Sequence, residues 1–262
     1  MPNHIQSLLQ LAAQNDVEAQ FELAEAYRSG EGAVENFGEA LHWYRKAAEL
    51  GHADAQNNLG AMLRAGMGTA KNPVEAAHWY RKAAEQEHVH AQFNLGMLYL
   101  VGSGVEQSDE DAAHWLHESA EQGDLAAITQ LGTLYQLGRG VEQNFVAAAD
   151  LHTIAAMEGD IAAIESLADY REEVELAALN GSIVAALCLA KIFDRGLGVE
   201  IDPAQVYAWF LWAKLHGKFD DAADEMEEWE GYVSVVTSEE EVERGKTLLE
   251  EMRMRADTGL VE

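Results

Sequence analysis

The chain has 262 residues, 48% of them apolar, enough to bury a sizeable core and to set aside disorder as its main state. Forty-six acidic against seventeen basic residues give a net charge of −29, a field that repels nucleic-acid phosphates and anionic lipid headgroups and so argues against both as partners. The single cysteine, Cys188, rules out an intrachain disulfide, and with no basic N-terminal region or 18-residue apolar run the expected location is the cytoplasm.

Residues 5–13 read as the second helix of an incomplete unit stopped at Asn15, so residues 1–18 are predicted to cap one end. From there a pattern sets in: Ala, Leu four residues on, then Ala or Gly. It starts at Ala19, Ala55, Ala91, Ala127 and Ala163, a spacing of 36. Such a period is the mark of stacked structural units. In each first helix, Ala55, Leu59, Gly60 and Leu63, matched by Ala91, Leu95, Gly96 and Tyr99, share one face, and the Gly lets a partner helix come close.

The paired glycines Gly30 and Gly32, Gly66 and Gly68, Gly102 and Gly104, Gly138 and Gly140, and Gly196 and Gly198 predict a turn. Asn36, Asn72, Ser108, Asn144 and Asp202 follow as N-caps of a second helix, with Pro73 and Pro203 one residue later. Glu39, Glu75 and Asp111 stand where a capping box would place them. Trp43-Tyr44, Trp79-Tyr80, Trp115-Leu116 and Trp209-Phe210, each beside small residues, are read as core. Gly51, Gly123, Gly159, Gly181 and Gly217 close the second helix. Glu87 stands at that place in the second unit, and because left-handed backbone is unfavourable with a Cβ, this helix end is predicted to cap differently.

From Ala163 to Ala185 the spacing is 22, so the unit at 163–184 has lost 14 residues including its turn, and its helices are predicted to be short or fused. Residues 220–262 read as a helical cap and tail, begun by a capping box of Ser238 and Glu241 and packed through Leu248, Leu249 and Met252.

Ala-x-x-x-Leu-Gly-x-x-Tyr, Gly-x-Gly-Val, Ala-x-x-Trp-Tyr-x-Lys-Ala-Ala and a closing Gly resemble the Sel1-like repeat family, a relative of the tetratricopeptide repeats, over about residues 5–217. The resemblance implies an all-α, right-handed superhelical α-solenoid with a concave protein-binding surface. Its units would be 19–54, 55–90, 91–126, 127–162, a truncated 163–184 and 185–219. Some cysteine-rich relatives are linked to β-lactam binding, but their repeat cysteines are missing here.

Metal and catalytic chemistry find little footing. His42, His78 and His114 precede a tryptophan in three successive units, but packed helices lie about 8–10 Å apart, while zinc needs nitrogens at about 2.0–2.1 Å. His52, His88 and His90 are better placed to cluster but lack recognised ligand spacing. No cofactor is expected. Cys188 has no paired His and no nucleophile elbow is present, so an enzyme is not expected.

By analogy with tetratricopeptide repeats, the groove is lined by three rows. The first holds Phe21, Asn57, Phe93 and Thr129; the second holds Glu25 and Met97 together with Ala61 and Thr133; the third holds Arg28, Arg64, Leu100 and Gln136. With only Arg28 and Arg64 basic, a clamp for a C-terminal carboxylate is disfavoured. Residues 83–170 carry fifteen acidic residues and Arg139 as the sole Lys or Arg, which points to a partner with a basic surface. The expected function is a non-catalytic, monomeric adaptor or scaffold that binds a protein. The alternative is a dedicated inhibitor, such as an immunity protein occupying a toxin.

Overall fold

In a computed structural model the described residues are 2–216 and 223–258, so Gly217, the first residues of the C-terminal cap and the last four residues of the tail lie outside them. These form fifteen helices and no strand. They are α1 (Pro2–Ala12), α2 (Val17–Ser29), α3 (Phe37–Glu49), α4 (Ala53–Ala65), α5 (Pro73–Ala84), α6 (Val89–Val101), α7 (Asp109–Glu121), α8 (Leu125–Leu137), α9 (Phe145–Met157), α10 (Ile161–Asp169), α11 (Arg171–Leu179), α12 (Ile183–Arg195), α13 (Pro203–His216), α14 (Ala223–Val236) and α15 (Glu239–Thr258). Contacts divide the chain into two compact units, Met1–Ala127 and Ile128–Glu262.

In the first unit α2 pairs with α3, α4 with α5 and α6 with α7, while α1, α3 and α5 each pack on the first helix that follows. The small residue of each first helix faces the second aromatic or aliphatic residue of the second helix. A Cβ on Gly60 would lie 3.0 Å from the Tyr80 ring, and one on Gly96 would lie 2.8 Å from Leu116 Cγ. Tyr44, Tyr80 and Leu116 are fully buried by this approach, together with Leu23, Leu59 and Leu95. The second member of each pair is therefore core, as recurrence predicts; of the tryptophans Trp79 is buried, while Trp43 and Trp115 are half-buried and pack against the core from outside.

Each turn is closed at both ends. Gly30, Gly66 and Gly102 end the first helices in left-handed backbone, at φ of 75°, 77° and 65°. The N-cap side chains of Asn36, Asn72, Ser108, Asn144 and Asp202 accept from the expected N–H groups. Their own N–H groups are already used: Asn36, Asn72, Ser108, Asn144 and Asp202 donate to the carbonyls of Tyr27, Leu63, Tyr99, Tyr135 and Phe193, at 2.8 to 3.1 Å. The capping boxes expected at Glu39, Glu75 and Asp111 are corrected for this reason, since the reciprocal donor is spent on the first helix. Glu75 instead accepts from Asn72 Nδ2, Trp79 Nε1 and Arg45. At Ser238 and Glu241 the box is complete: Ser238 N–H donates to Glu241 at 2.6 Å and Glu241 N–H to Ser238 Oγ at 3.3 Å.

The Glu87 expectation is also corrected. Glu87 takes a φ of 61° and ends α5 as glycine ends its counterparts. Its N–H donates to Ala84 O and the next one, of His88, to Ala83 O, the pattern that Gly51 and His52 make with Ala48 and Ala47. Nothing lies within 4 Å of a Cβ built at Gly51 or Gly123, so the side chain has room and the backbone alone carries the strain. Asn15 stops α1 at a φ of 62°, as expected.

In the second unit the truncated pair resolves as two short helices. α10 and α11 have nine residues each and meet at Tyr170. With so little between them, α12 packs on both α11 and α9. The cap is held where α15 crosses α13 at Gly245, whose place for a Cβ lies 2.8 Å from Ala204 O, and by buried Leu249 and Met252.

Because Glu87 is strained without being crowded, Glu87→Gly is expected to raise the unfolding free energy by about 1 kcal/mol, less the extra freedom glycine brings to the unfolded chain. Chemical denaturation checks this, and a loss of stability would contradict it.

Candidate functional site

The first-helix faces carry the predicted rows, and in the first unit they are joined by a chain of hydrogen bonds. Asn94 Nδ2 donates to Asn57 Oδ1 at 3.2 Å, Asn57 Nδ2 to Asn58 Oδ1 at 3.3 Å, and Asn58 Nδ2 to Glu25 Oε1 at 3.0 Å. The chain thus steps from α6 to α4 to α2 and ends on a carboxylate. Glu25 also accepts from the Tyr44 hydroxyl and the Arg28 guanidinium, while Arg28 Nε donates to the Tyr44 oxygen at 3.1 Å. Burial pushes the Glu25 carboxyl up, but the bonds from Arg28, Tyr44 and Asn58 outweigh it and hold it below the ordinary carboxylate value. Burial, then the Glu25 carboxylate, pushes the Tyr44 phenol up.

Phe21 lies beside this network, half-buried, with its ring stacked on His52 at 4.4 Å. A hollow between α1 and α2 is lined by His4, Leu8, Phe21, Glu25 and Arg28. One repeat on, Ala61 replaces Glu25, Arg64 is exposed with its guanidinium toward the fully buried Tyr80 phenol, and the Tyr80 hydroxyl has no acceptor for its proton among the described residues. Phe93, Met97 and Leu100 are half-buried on α6 and make the third repeat apolar at these places. Gln136 is half-buried on α8, its carbonyl accepting from Gln143 Nε2 at 2.8 Å.

Thr129 departs from its row. It is buried, and its hydroxyl donates to Asp160 Oδ2 at 2.8 Å, so it belongs to the packing of the second unit and is withdrawn from the surface. In the same unit His152 takes the place of Tyr44 and is fully buried. Its Nε2 lies 3.2 Å from Thr129 O and its Nδ1 2.6 Å from the Tyr170 hydroxyl. A carbonyl can only accept, so Nε2 carries the proton and Nδ1 accepts from Tyr170.

The other histidines have structural work. His52 and His88 are N-caps of α4 and α6: Nδ1 accepts from Ala55 N–H at 3.3 Å and from Ala91 N–H at 3.2 Å. Asp16, Asp124, Asp160 and Ser182 do the same for α2, α8, α10 and α12. His88 Nε2 meets Asp54 at 3.1 Å and His90 meets Asp124 at 3.2 Å, so these side chains join successive repeats. His42, His78 and His114 are exposed, each ring against its neighbouring tryptophan. Among the described residues, His117, Glu118 and Glu121 could hold a metal ion, on one turn of α7. No described helix is long and apolar enough to cross a membrane.

A helix pair recurring every 36 residues and packed on its neighbours through small residues defines an α-solenoid of the helix-turn-helix repeat class. The chain belongs to the Sel1 repeat family, which matches residues 17–52, 53–88, 89–124, 125–160 and 184–214. This repeat is in general a non-catalytic scaffold for protein interaction. A solved Sel1 repeat protein from Oxalobacter formigenes is 27% identical over 96% of this chain and 94% of its own, with a TM-score of 0.58. A protective antigen of uropathogenic Escherichia coli strains, displaying an SLR fold, is 26% identical over 94% of this chain with a TM-score of 0.62; this chain covers 56% of that protein's length. An immunity protein from Pseudomonas aeruginosa is 21% identical over 98% of this chain and 76% of its own, at a TM-score of 0.38. No curated protein matches the sequence.

Burial holds the His152 imidazole below its ordinary value of 6.5, with Thr129 and Asp160 opposing only in part. The unfolded chain therefore takes up a proton first, and the stability His152 contributes above that value is lost as pH falls below it. His152→Leu, which copies Leu116 of the preceding repeat, removes the titration. From about pH 7 to 5 the wild type is expected to lose stability relative to the variant. Denaturation at several pH values checks this, and a pH-independent difference contradicts it.

Proposed function

We propose that the chain is a non-catalytic adaptor or scaffold that binds a protein with a basic surface along its first-helix faces. The supporting observation is the third repeat, where Phe93, Met97 and Leu100 stand half-buried on α6 in a sequence region almost free of positive charge. Large apolar side chains left partly open at neighbouring positions serve as anchors, because a partner completes their burial. Acidic residues of the same repeat, Asp109, Glu110 and Asp111 in the first turn of α7, supply a field that draws a basic surface in. A cytoplasmic location is part of the same reading, supported by the lone cysteine, which can make no disulfide within the chain.

The two contributions separate kinetically. With the partner obtained by affinity capture from the source cell, Phe93→Ala is expected to raise the dissociation rate at a cost of about 1–2 kcal/mol. Neutralising Asp109, Glu110 and Asp111 together is expected to slow association and flatten its salt dependence. Surface plasmon resonance at low and physiological salt reads both. Unchanged dissociation together with indifference to salt would remove the assignment.

A further inference from the structure

We infer that the second repeat holds a carboxylate-binding site, formed by Tyr80, Arg64 and Asn94, that takes a carboxylate from the bound polypeptide. The first repeat supplies the template. There Tyr44, Arg28 and Asn58 converge on the carboxylate of Glu25, all three as hydrogen-bond donors. Advancing each by the 36-residue period gives Tyr80, Arg64 and Asn94, the same three residue types, while Glu25 becomes Ala61. The donors are kept and the acceptor is missing.

The missing acceptor shows at Tyr80 itself. Its side chain is fully buried, and the group that meets its hydroxyl is the Arg64 guanidinium, while no acceptor among the described residues takes its proton. Buried hydroxyl protons without an acceptor are rare, because the desolvation is not recovered. The Arg64 guanidinium sits near enough to oppose the upward push of burial on the phenol, but a guanidinium can only donate and cannot take the phenolic proton. Asn94 uses its amide toward Asn57 Oδ1 at 3.2 Å, and the NH2 group has a second proton to give. No Asp or Glu pairs with Arg64 among the described residues.

The neighbouring repeats sharpen the comparison. In the third repeat Met97, Leu100 and Leu116 replace acid, guanidinium and phenol together, so the site is absent as a set. The first is filled, the second has donors alone, and the third has neither. Charge favours the second as well: residues 28–82 hold seven of the seventeen Lys and Arg, so the chain's acidity is locally relieved where a carboxylate would enter. A basic partner would thus be read at two places, by acids in the third repeat and by a single demanded carboxylate in the second.

This rests on the first-helix face being the binding surface, but its test needs no partner. The probes are three blocked tripeptides: acetyl-Gly-Glu-Gly-amide, acetyl-Gly-Gln-Gly-amide, and acetyl-Gly-Gly-Gly with a free C-terminus. Nuclear magnetic resonance follows the side-chain signals of Arg64 and Asn94, with Arg28 as the already filled control. A saturable shift at Arg64 and Asn94 is expected with a carboxylate peptide, on the order of millimolar affinity, and none with the glutamine peptide. The stronger of the two carboxylate peptides tells whether a side chain or a chain end is preferred. Ala61→Glu is expected to abolish the response by filling the site from within. Tyr80→Phe, which keeps the packed ring, is expected to weaken it about tenfold. Equal response to the glutamine peptide, no saturable response to either carboxylate, or wild-type binding by both variants would overturn the site. Such a failure would leave the Phe93 and salt results untouched, and failure of those would leave this titration standing.

Discussion

The structure depends on one steric constraint: in the second, third and fourth repeats the first helix lies so close on the second that there is no room for a Cβ at the point of contact. At Gly96 the missing atom would meet Leu116, and at Gly132 it would meet the His152 ring at 2.7 Å. The first repeat manages with Ala24 against Tyr44. The facing side chain runs through the pair, so that the Tyr44 hydroxyl meets Glu25 and Arg28 and the His152 ring meets Thr129 O on the first helix. A leucine there ends in methyl groups, a tyrosine in a hydroxyl and a histidine in a ring nitrogen. The chemistry of the first-helix face is therefore partly written on the second helix, by residues that are core by every measure of burial.

A second close approach sets the step between repeats. The places for a Cβ at Gly68 and Gly104 fall well inside contact distance of the backbone at Phe37 and Pro73, the start of the preceding second helix. In these two turns the second glycine is thus an inter-repeat contact as well as a turn residue. In the truncated region the contact loosens: at Gly198 the nearest atom, Ile164 O, is 3.4 Å away. Hydrogen bonds follow nearly the same step, 34 residues from His88 to Asp54 and 37 from Asn94 to Asn57.

The helix pairs, the turn glycines and the second-helix caps were legible because each is a local signal repeated at a fixed period. What escaped the sequence were places where one residue serves two needs. His52 and His88 drew notice as titratable groups, yet they are N-caps equivalent to Asp16 and Asp124, which the period alone connects. The capping boxes failed because an N–H that local rules leave open is taken by a carbonyl nine residues back. Thr129 failed because an acid at the next first-helix cap, Asp160, claims its hydroxyl. Glu87 shows that two backbone hydrogen bonds can enforce left-handed backbone on a residue with a side chain. The polar face of the first repeats was half legible: Glu25, Arg28, Asn57 and Arg64 stood in the predicted rows, while Tyr44, Tyr80, Asn58 and Asn94 did not. The tyrosines were read for their rings, which do pack, and the hydroxyls were overlooked.

The close helix contact is tested most directly by a double-mutant cycle on Gly96 and Leu116, read by equilibrium denaturation. Alone, Gly96→Ala should destabilise despite alanine's better helix propensity, because its Cβ meets Leu116 Cγ at 2.8 Å. On a Leu116→Ala background the same change should become neutral or stabilising, with a coupling of about 1–2 kcal/mol. Additive effects, with Gly96→Ala stabilising in both backgrounds, would mean that the helices are not held at the distance on which the repeat and its first-helix face depend.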